Sequence, residues 1–192
     1  MAFEHETVSR VERFQGAIFT VFTDEVTMSD GDTADRDVVE NRGAVVVVAL
    51  DEDDRVVLIK QYRHAVRQRL WELPAGLRDV EGEDEAVTAA RELAEEADLT
   101  AGRMEPLIDL HTSPGFSDEW VRVFLARDLA PVAEADRHTR TAEEADLEVR
   151  RVDLDEAVAM VFRGEITNAA AVAGLLAAAR ARDSGWTLLR SS

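Results

Sequence analysis

A chain of 192 residues, 46% of them hydrophobic, can fill one sizeable core, or a core with a small extension. Cysteine is absent, which excludes disulfides, zinc–thiolate sites and a cysteine nucleophile. A formal charge of −18 argues against broad binding to a nucleic-acid backbone, and an anionic substrate would need cations or well-placed arginines to reverse the local potential.

The N-terminus, with Glu4, His5 and Glu6, lacks a basic-then-apolar leader, and no segment approaches twenty uninterrupted apolar residues. The expected location is the cytoplasm, without membrane association. Phe14, Ile18, Phe19, Val21, Phe22 and Val26 make residues 14–28 β-rich, and Ser29-Asp30-Gly31-Asp32 reads as a turn, so residues 14–40 are predicted as a strand meander. Residues 43–50 are nearly all apolar and β-branched, the pattern of a strand buried on both faces. The polar turn Asp51-Glu52-Asp53-Asp54 and a second apolar run over 55–62 predict a hairpin with it. A helix is expected over 84–97. Further strands follow over 104–110 and 119–126, separated by a loop of small and polar residues, 111–118. Two more helices close the chain over 154–162 and 168–182, with Asn168 as a cap.

The chemistry concentrates on the helix at 84–97. At about 100° of turn per residue, Glu92, Glu95 and Glu96 fall within one arc of roughly 100°. Like charges at this spacing repel, so the cluster is mildly unfavourable unless a cation sits against it, and hard oxygen ligands suit Mg²⁺ or Mn²⁺. Arg91, four residues before Glu95, is placed to hold that carboxylate and leave Glu92 and Glu96 for metal. Val87, Ala90, Leu93, Ala94 and Ala97 are expected to face the core. In a chain with 40 acidic residues, such a helical face taken alone reads as solvated surface.

The flanking sequence changes that reading. Gly76, six residues, Glu83, seven residues, then Arg91-Glu92-Leu93-Ala94-Glu95-Glu96-Ala97-Asp98-Leu99 resembles the Nudix box, Gly, five residues, Glu, seven residues, Arg-Glu-apolar-x-Glu-Glu-x-Gly-apolar. This chain departs in one extra loop residue, eased by Gly82, and in Asp98 where the pattern has Gly. Asp tolerates the left-handed conformation common at a helix C-terminus at modest cost. Residues 61–64, 70–76, 113–119, 16–19 and 164–168 further resemble the ADP-ribose pyrophosphatase branch, over about residues 5–180.

The resemblance implies an α/β fold, a Nudix-type α/β/α sandwich around a mixed sheet (43–192), preceded by an N-terminal β-rich extension (1–42) that serves dimerisation and substrate contacts in a homodimer. It implies Mg²⁺-dependent, or Mn²⁺-dependent, hydrolysis of ADP-ribose to AMP and ribose 5-phosphate. The alternatives are another nucleoside diphosphate sugar or a dinucleotide as substrate, or a non-catalytic nucleotide sensor. Glu92 and Glu96 become principal metal ligands, with the Ala75 carbonyl as a third and Glu95 as auxiliary. A carbonyl ligand there is reasonable because Pro74 and Gly76 are expected to bend the chain sharply. Residues 141–146 match the loop whose acidic residue activates water, with Glu144 as first choice and Glu143 as second. Arg63 is the expected phosphate clamp and Arg36 a weaker one; Glu119 matches a position that contacts the terminal ribose, and Phe19 is a candidate for stacking on adenine.

Overall fold

In the computed structural model, which describes residues 5–139 and 146–189, the chain separates into two units. One takes in Gly43 and the residues before it together with His111–Trp120; the other takes in Ala44–Leu110 and the residues from Val121 onward. Residues 111–118, predicted as a loop between strands, thus group with the N-terminal segment.

The first unit is built on an antiparallel meander of β1 (Thr7–Gln15), β2 (Phe19–Thr27) and β3 (Thr33–Asn41). The meander begins seven residues before the predicted start, because β1 is polar along much of its length and carries no apolar periodicity to announce it. Val8, Val11 and Phe14 of β1 are exposed, as is Ile18 in the turn that follows. Within this unit, Phe116 and Asp118 of the 111–120 stretch bond to β3: Val39 donates its N–H to the Phe116 carbonyl at 2.7 Å, and Asn41 donates to Asp118 Oδ1 at 2.9 Å.

The second unit contains two sheets. β4 (Ala44–Ala49), β7 (Ala75–Leu77), β8 (Leu99–His111) and β9 (Trp120–Pro131) form a mixed sheet in the order β7-β4-β9-β8, with β4 antiparallel to β7 and parallel to β9. β5 (Arg55–Arg63), β6 (Gln68–Glu72) and β10 (Glu148–Asp153) form an antiparallel sheet in the order β10-β5-β6. The predicted hairpin of β4 with β5 is therefore corrected. Their turn closes with the Leu50–Val56 bridge and an Asp51 N–H to Arg55 carbonyl bond at 3.0 Å, and the two strands then enter different sheets.

The predicted two-sided burial of β4 is what organises the core. Strand alternation sends Val45, Val47 and Ala49 into one cluster with Ala89, Leu93 and Phe124. Val46, Val48 and Leu50 enter a second cluster with Leu125, Leu154 and Leu175. At about 1.5–3 kcal/mol for each fully buried aliphatic side chain, this strand makes a large contribution to both cores. Helix α1 (Glu85–Ala97) covers the first cluster, and α2 (Leu154–Phe162) with α3 (Ala169–Asp183) covers the second, giving the α/β/α arrangement. The caps follow from sequence. Asp84 accepts from Ala86 N–H at 2.8 Å, Asp153 from Asp155 and Glu156, and Asn168 from Ala171 at 3.0 Å. Asp98 closes α1 in the left-handed region at φ 54°, its N–H bonded to the Ala94 carbonyl, so Asp does here what Gly does in the family pattern.

Candidate active site

Two carboxylates of α1 converge on one short strand. Glu96, 4% exposed, accepts the Ala75 N–H at 2.8 Å. Glu92 lies so close over Gly76 that a Cβ added there would sit 2.0 Å from Glu92 Cδ. The sharp bend expected at Pro74 and Gly76 is thus only partly correct. Gly76 belongs to β7, opposite Val45 of β4, and its lack of a side chain admits the Glu92 carboxylate rather than turning the chain.

Arg91 is the counterion of the cluster. Its guanidinium lies 2.7 Å from Glu92, 3.6 Å from Glu95, 3.5 Å from Glu83 and 3.6 Å from Asp79. The expected Arg91–Glu95 pair is present, but the closest partner of Arg91 is Glu92, which the expectation left for metal. Burial pushes the Glu92 carboxyl above its ordinary value, with Glu95 and Asp79 adding to the effect and Arg91 opposing it. Glu83, the first glutamate of the box, accepts the Thr88 hydroxyl at 2.7 Å and so ties the loop before α1 to its first turns. The core face of α1 runs through Ala89, Leu93 and Ala97, while Val87 and Ala90 are exposed. The predicted apolar face was rotated because buried Thr88 and Glu96, polar residues, occupy positions that an apolar-only reading assigns outward.

Among the described residues, no three His, Asp or Glu side chains are gathered in a ready metal-binding group. Glu92 is turned to Arg91 and Glu96 to the Ala75 amide. The donor chemistry nevertheless fits a hard divalent cation: two carboxylates on adjacent turns meet a two-residue strand segment cleared of side-chain bulk by Gly76.

Arg63, the last residue of β5, stands over Glu72, with Nε donating to Oε1 at 3.0 Å and Nη2 to Oε2 at 2.7 Å. Glu119, Arg36 and Phe19 belong to the first unit. Glu119 is half-buried, accepts the Thr112 hydroxyl, and donates its own N–H to Ser117 Oγ at 3.1 Å. Arg36 is exposed on β3 and donates to the Asp35 carbonyl and the Met28 sulfur. Phe19 begins β2, 38% exposed, its ring 5.9 Å from that of Phe14. Glu143 and Glu144 lie outside the described residues. Sequence reading passed over Glu72, 2% exposed beneath Arg63, although a lone glutamate in the otherwise apolar Leu70–Leu73 run was a usable signal. It also passed over Arg122, which joins Asp109 to Glu85 of α1 at 2.8 and 2.6 Å.

A helix whose glutamates close on a glycine-bearing strand beside a mixed sheet defines a Nudix domain. The NUDIX domain family model matches residues 40–173, more than half of the chain, and the chain belongs to that family. Its relatives include the ADP-ribose pyrophosphatase of Mycobacterium tuberculosis, 48% identical over 91% of this chain and 83% of that protein. The ADP-ribose pyrophosphatase of Bacillus subtilis is 32% identical over 86% of this chain and 88% of that protein. A crystal structure of an ADP compounds hydrolase shares the fold, with a TM-score of 0.83 at 22% identity over 97% of this chain and 99% of that one. No helix among the described residues is long and apolar enough to cross a membrane.

Proposed function

We propose that this chain hydrolyses the diphosphate of ADP-ribose, giving AMP and ribose 5-phosphate, as a Mg²⁺-dependent cytoplasmic homodimer. The observation that carries the reading is the 48% identity to the mycobacterial ADP-ribose pyrophosphatase across nearly the whole chain. The convergence of Glu92 and Glu96 on Ala75-Gly76 supports it. A diphosphate resists hydrolysis because its charge repels nucleophiles and its leaving phosphate is poor. A divalent cation, Mg²⁺ or Mn²⁺, supplies charge neutralisation and a more acidic water when bound.

The chain's own residues do the rest. Glu92 and Glu96 hold the cation with the Ala75 carbonyl, and Glu95 assists. Glu144, or failing it Glu143, takes the proton from the attacking water. Arg63 grips diphosphate oxygens, Arg36 being the weaker candidate for that task, Glu119 accepts hydrogen bonds from the terminal ribose, and Phe19 stacks on adenine. The exposed Val8, Val11, Phe14 and Ile18 support a dimer, since they leave apolar side chains of one segment at the surface for a partner to cover. Release of AMP from ADP-ribose in the presence of Mg²⁺, lost in EDTA and restored by the metal, is the expected result. A purified protein that released no AMP from neutral to alkaline pH would refute the reading. A panel of nucleoside diphosphate sugars and dinucleotides compared by kcat/KM decides the substrate, and tight binding without turnover would mark a sensor instead.

A further inference from the structure

Glu72 is the least exposed carboxylate among the described residues, at 2%. It sits on β6 opposite Ile59 of β5, and strand alternation places Gln61 and Arg63 on the face it shares with Ile59. Arg63 Nε and Nη2 both donate to it, at 3.0 and 2.7 Å, and Gln61 Nε2 lies 3.5 Å away. The pair straddles the surface: the Glu72 side chain is 3% exposed and that of Arg63 is 42%.

Stability alone does not account for this arrangement. Burying an ion pair carries a desolvation penalty that its Coulomb attraction often only offsets, and an apolar pair of similar volume would serve the core as well. What the pair supplies is geometry. A two-pronged bond along one edge fixes the plane of the guanidinium, and an arginine ordered beforehand loses less freedom when it meets an anion. Only Leu73 and Pro74 separate Glu72 from Ala75, the residue on which Glu96 closes, so their Cα atoms are at most about 11 Å apart. Arg63 is thereby held near the carboxylate cluster.

We propose that Glu72 is a positioning residue, which presents the outer part of the Arg63 guanidinium to the diphosphate of the substrate. The proposal rests on the ADP-ribose reading above and adds to it a residue that touches no substrate atom. Its signature is that Glu72 acts only through Arg63.

The test uses the full chain as wild type, E72Q, R63M and the apolar double variant R63M/E72M. ADP-ribose binding is measured by calorimetry in EDTA, and AMP release with Mg²⁺ gives kcat and KM separately. Losing the two-pronged ionic hold is expected to weaken binding and raise KM about tenfold in E72Q, with kcat within about threefold of wild type. R63M is expected to bind more weakly still, and R63M/E72M to bind no worse than R63M while melting within a few degrees of wild type. If R63M fails to fold with Glu72 left unpaired, the double variant carries the comparison with E72Q. E72Q with unchanged Kd and KM but a lower Tm would make Glu72 merely structural and overturn the proposal, as would R63M or R63M/E72M binding like wild type, or losses in the double variant that add. Wild-type protein that neither binds nor cleaves ADP-ribose would instead overturn the functional reading, and this proposal with it.

Discussion

Adding one methyl group at Gly76 separates site geometry from stability. In Gly76→Ala the new Cβ would lie 2.0 Å from Glu92 Cδ, 2.2 Å from Oε1 and 2.5 Å from Cγ. Carbon atoms in contact normally stand about 3.5–4.0 Å apart, so the overlap is about 1.5–2 Å and Glu92 must swing away. Leaving its seat releases the 2.7 Å bond to Arg91, a charge-assisted contact worth about 1.5–3 kcal/mol at most, lowered here by the partial exposure of Arg91. For a chain of this size, at about 2–4 °C per kcal/mol, that corresponds to a fall in Tm of no more than about 10 °C. The effect on catalysis is far larger, because displacing a ligand by more than 1 Å costs on the order of a hundredfold in rate. Gly174→Ala is the matched control. Its Cβ would meet Leu73 Cδ1 at 2.9 Å and Val48 and Val123 methyls at 3.2 Å, an overpacking of about 1–3 kcal/mol partly offset by about 1 kcal/mol of helix propensity. AMP release and thermal unfolding, measured on both variants, should show Gly76→Ala folded and nearly inactive, and Gly174→Ala destabilised but with wild-type kcat. Near-normal kcat in Gly76→Ala would refute the reasoning that Glu92 must occupy the space over Gly76.

Glu96→Gln keeps an oxygen for the Ala75 amide and removes a charge; kcat should fall by about a hundredfold or more with Tm little changed, checked by steady-state kinetics alongside melting. Of Glu144→Gln and Glu143→Gln, the first should show the larger loss of kcat with KM nearly unchanged, about a hundredfold or more, and the reverse order would transfer the base to Glu143. Burial pushes the Asp51 carboxyl up, but backbone N–H groups of Arg55 and Asp53 and the Arg55 guanidinium outweigh it and hold it below its ordinary value. Such a group contributes stability above its unfolded pKa of about 3.9 and loses it as pH falls through the lower folded value. Urea unfolding should therefore show Asp51→Asn less stable than wild type by about 1–2 kcal/mol at pH 7, with the gap closing below about pH 4.

The parts of the fold read from sequence were those where one residue type does one job. The β-branched run 44–49, the cap Asn168, and the glutamate spacing of α1 each carry a local signal that tertiary structure did not overrule. What escaped were properties that depend on partners distant in sequence. β4 and β5 look like a hairpin locally, yet the pairing of β5 with β10 and of β4 with β9 decides the sheets. Arg91 has Glu95 one helical turn away, yet the shorter bond goes to its sequence neighbour Glu92, where β7 confines the side chain. Glu72 stands out in sequence only as a lone glutamate in an apolar run; its partner Arg63, nine residues away, is supplied by the pairing of β5 with β6.

β4 makes the two cores of the second unit neighbours that share a wall. Alternate residues of one six-residue strand supply both, so a void opened by trimming Val47 lies on the α1 side and one opened by trimming Val48 lies on the side of α2 and α3. Each cavity relaxes within its own cluster, and the backbone ladder between them, bonded to β7 and β9, resists transmitting the strain. Injuries to opposite faces should then sum almost independently, while two injuries to one face interact. Helix α1, which carries Glu92 and Glu96, packs on the first of these cores, while Ala75, whose N–H Glu96 accepts, packs against the second, so the two cores meet again at this contact.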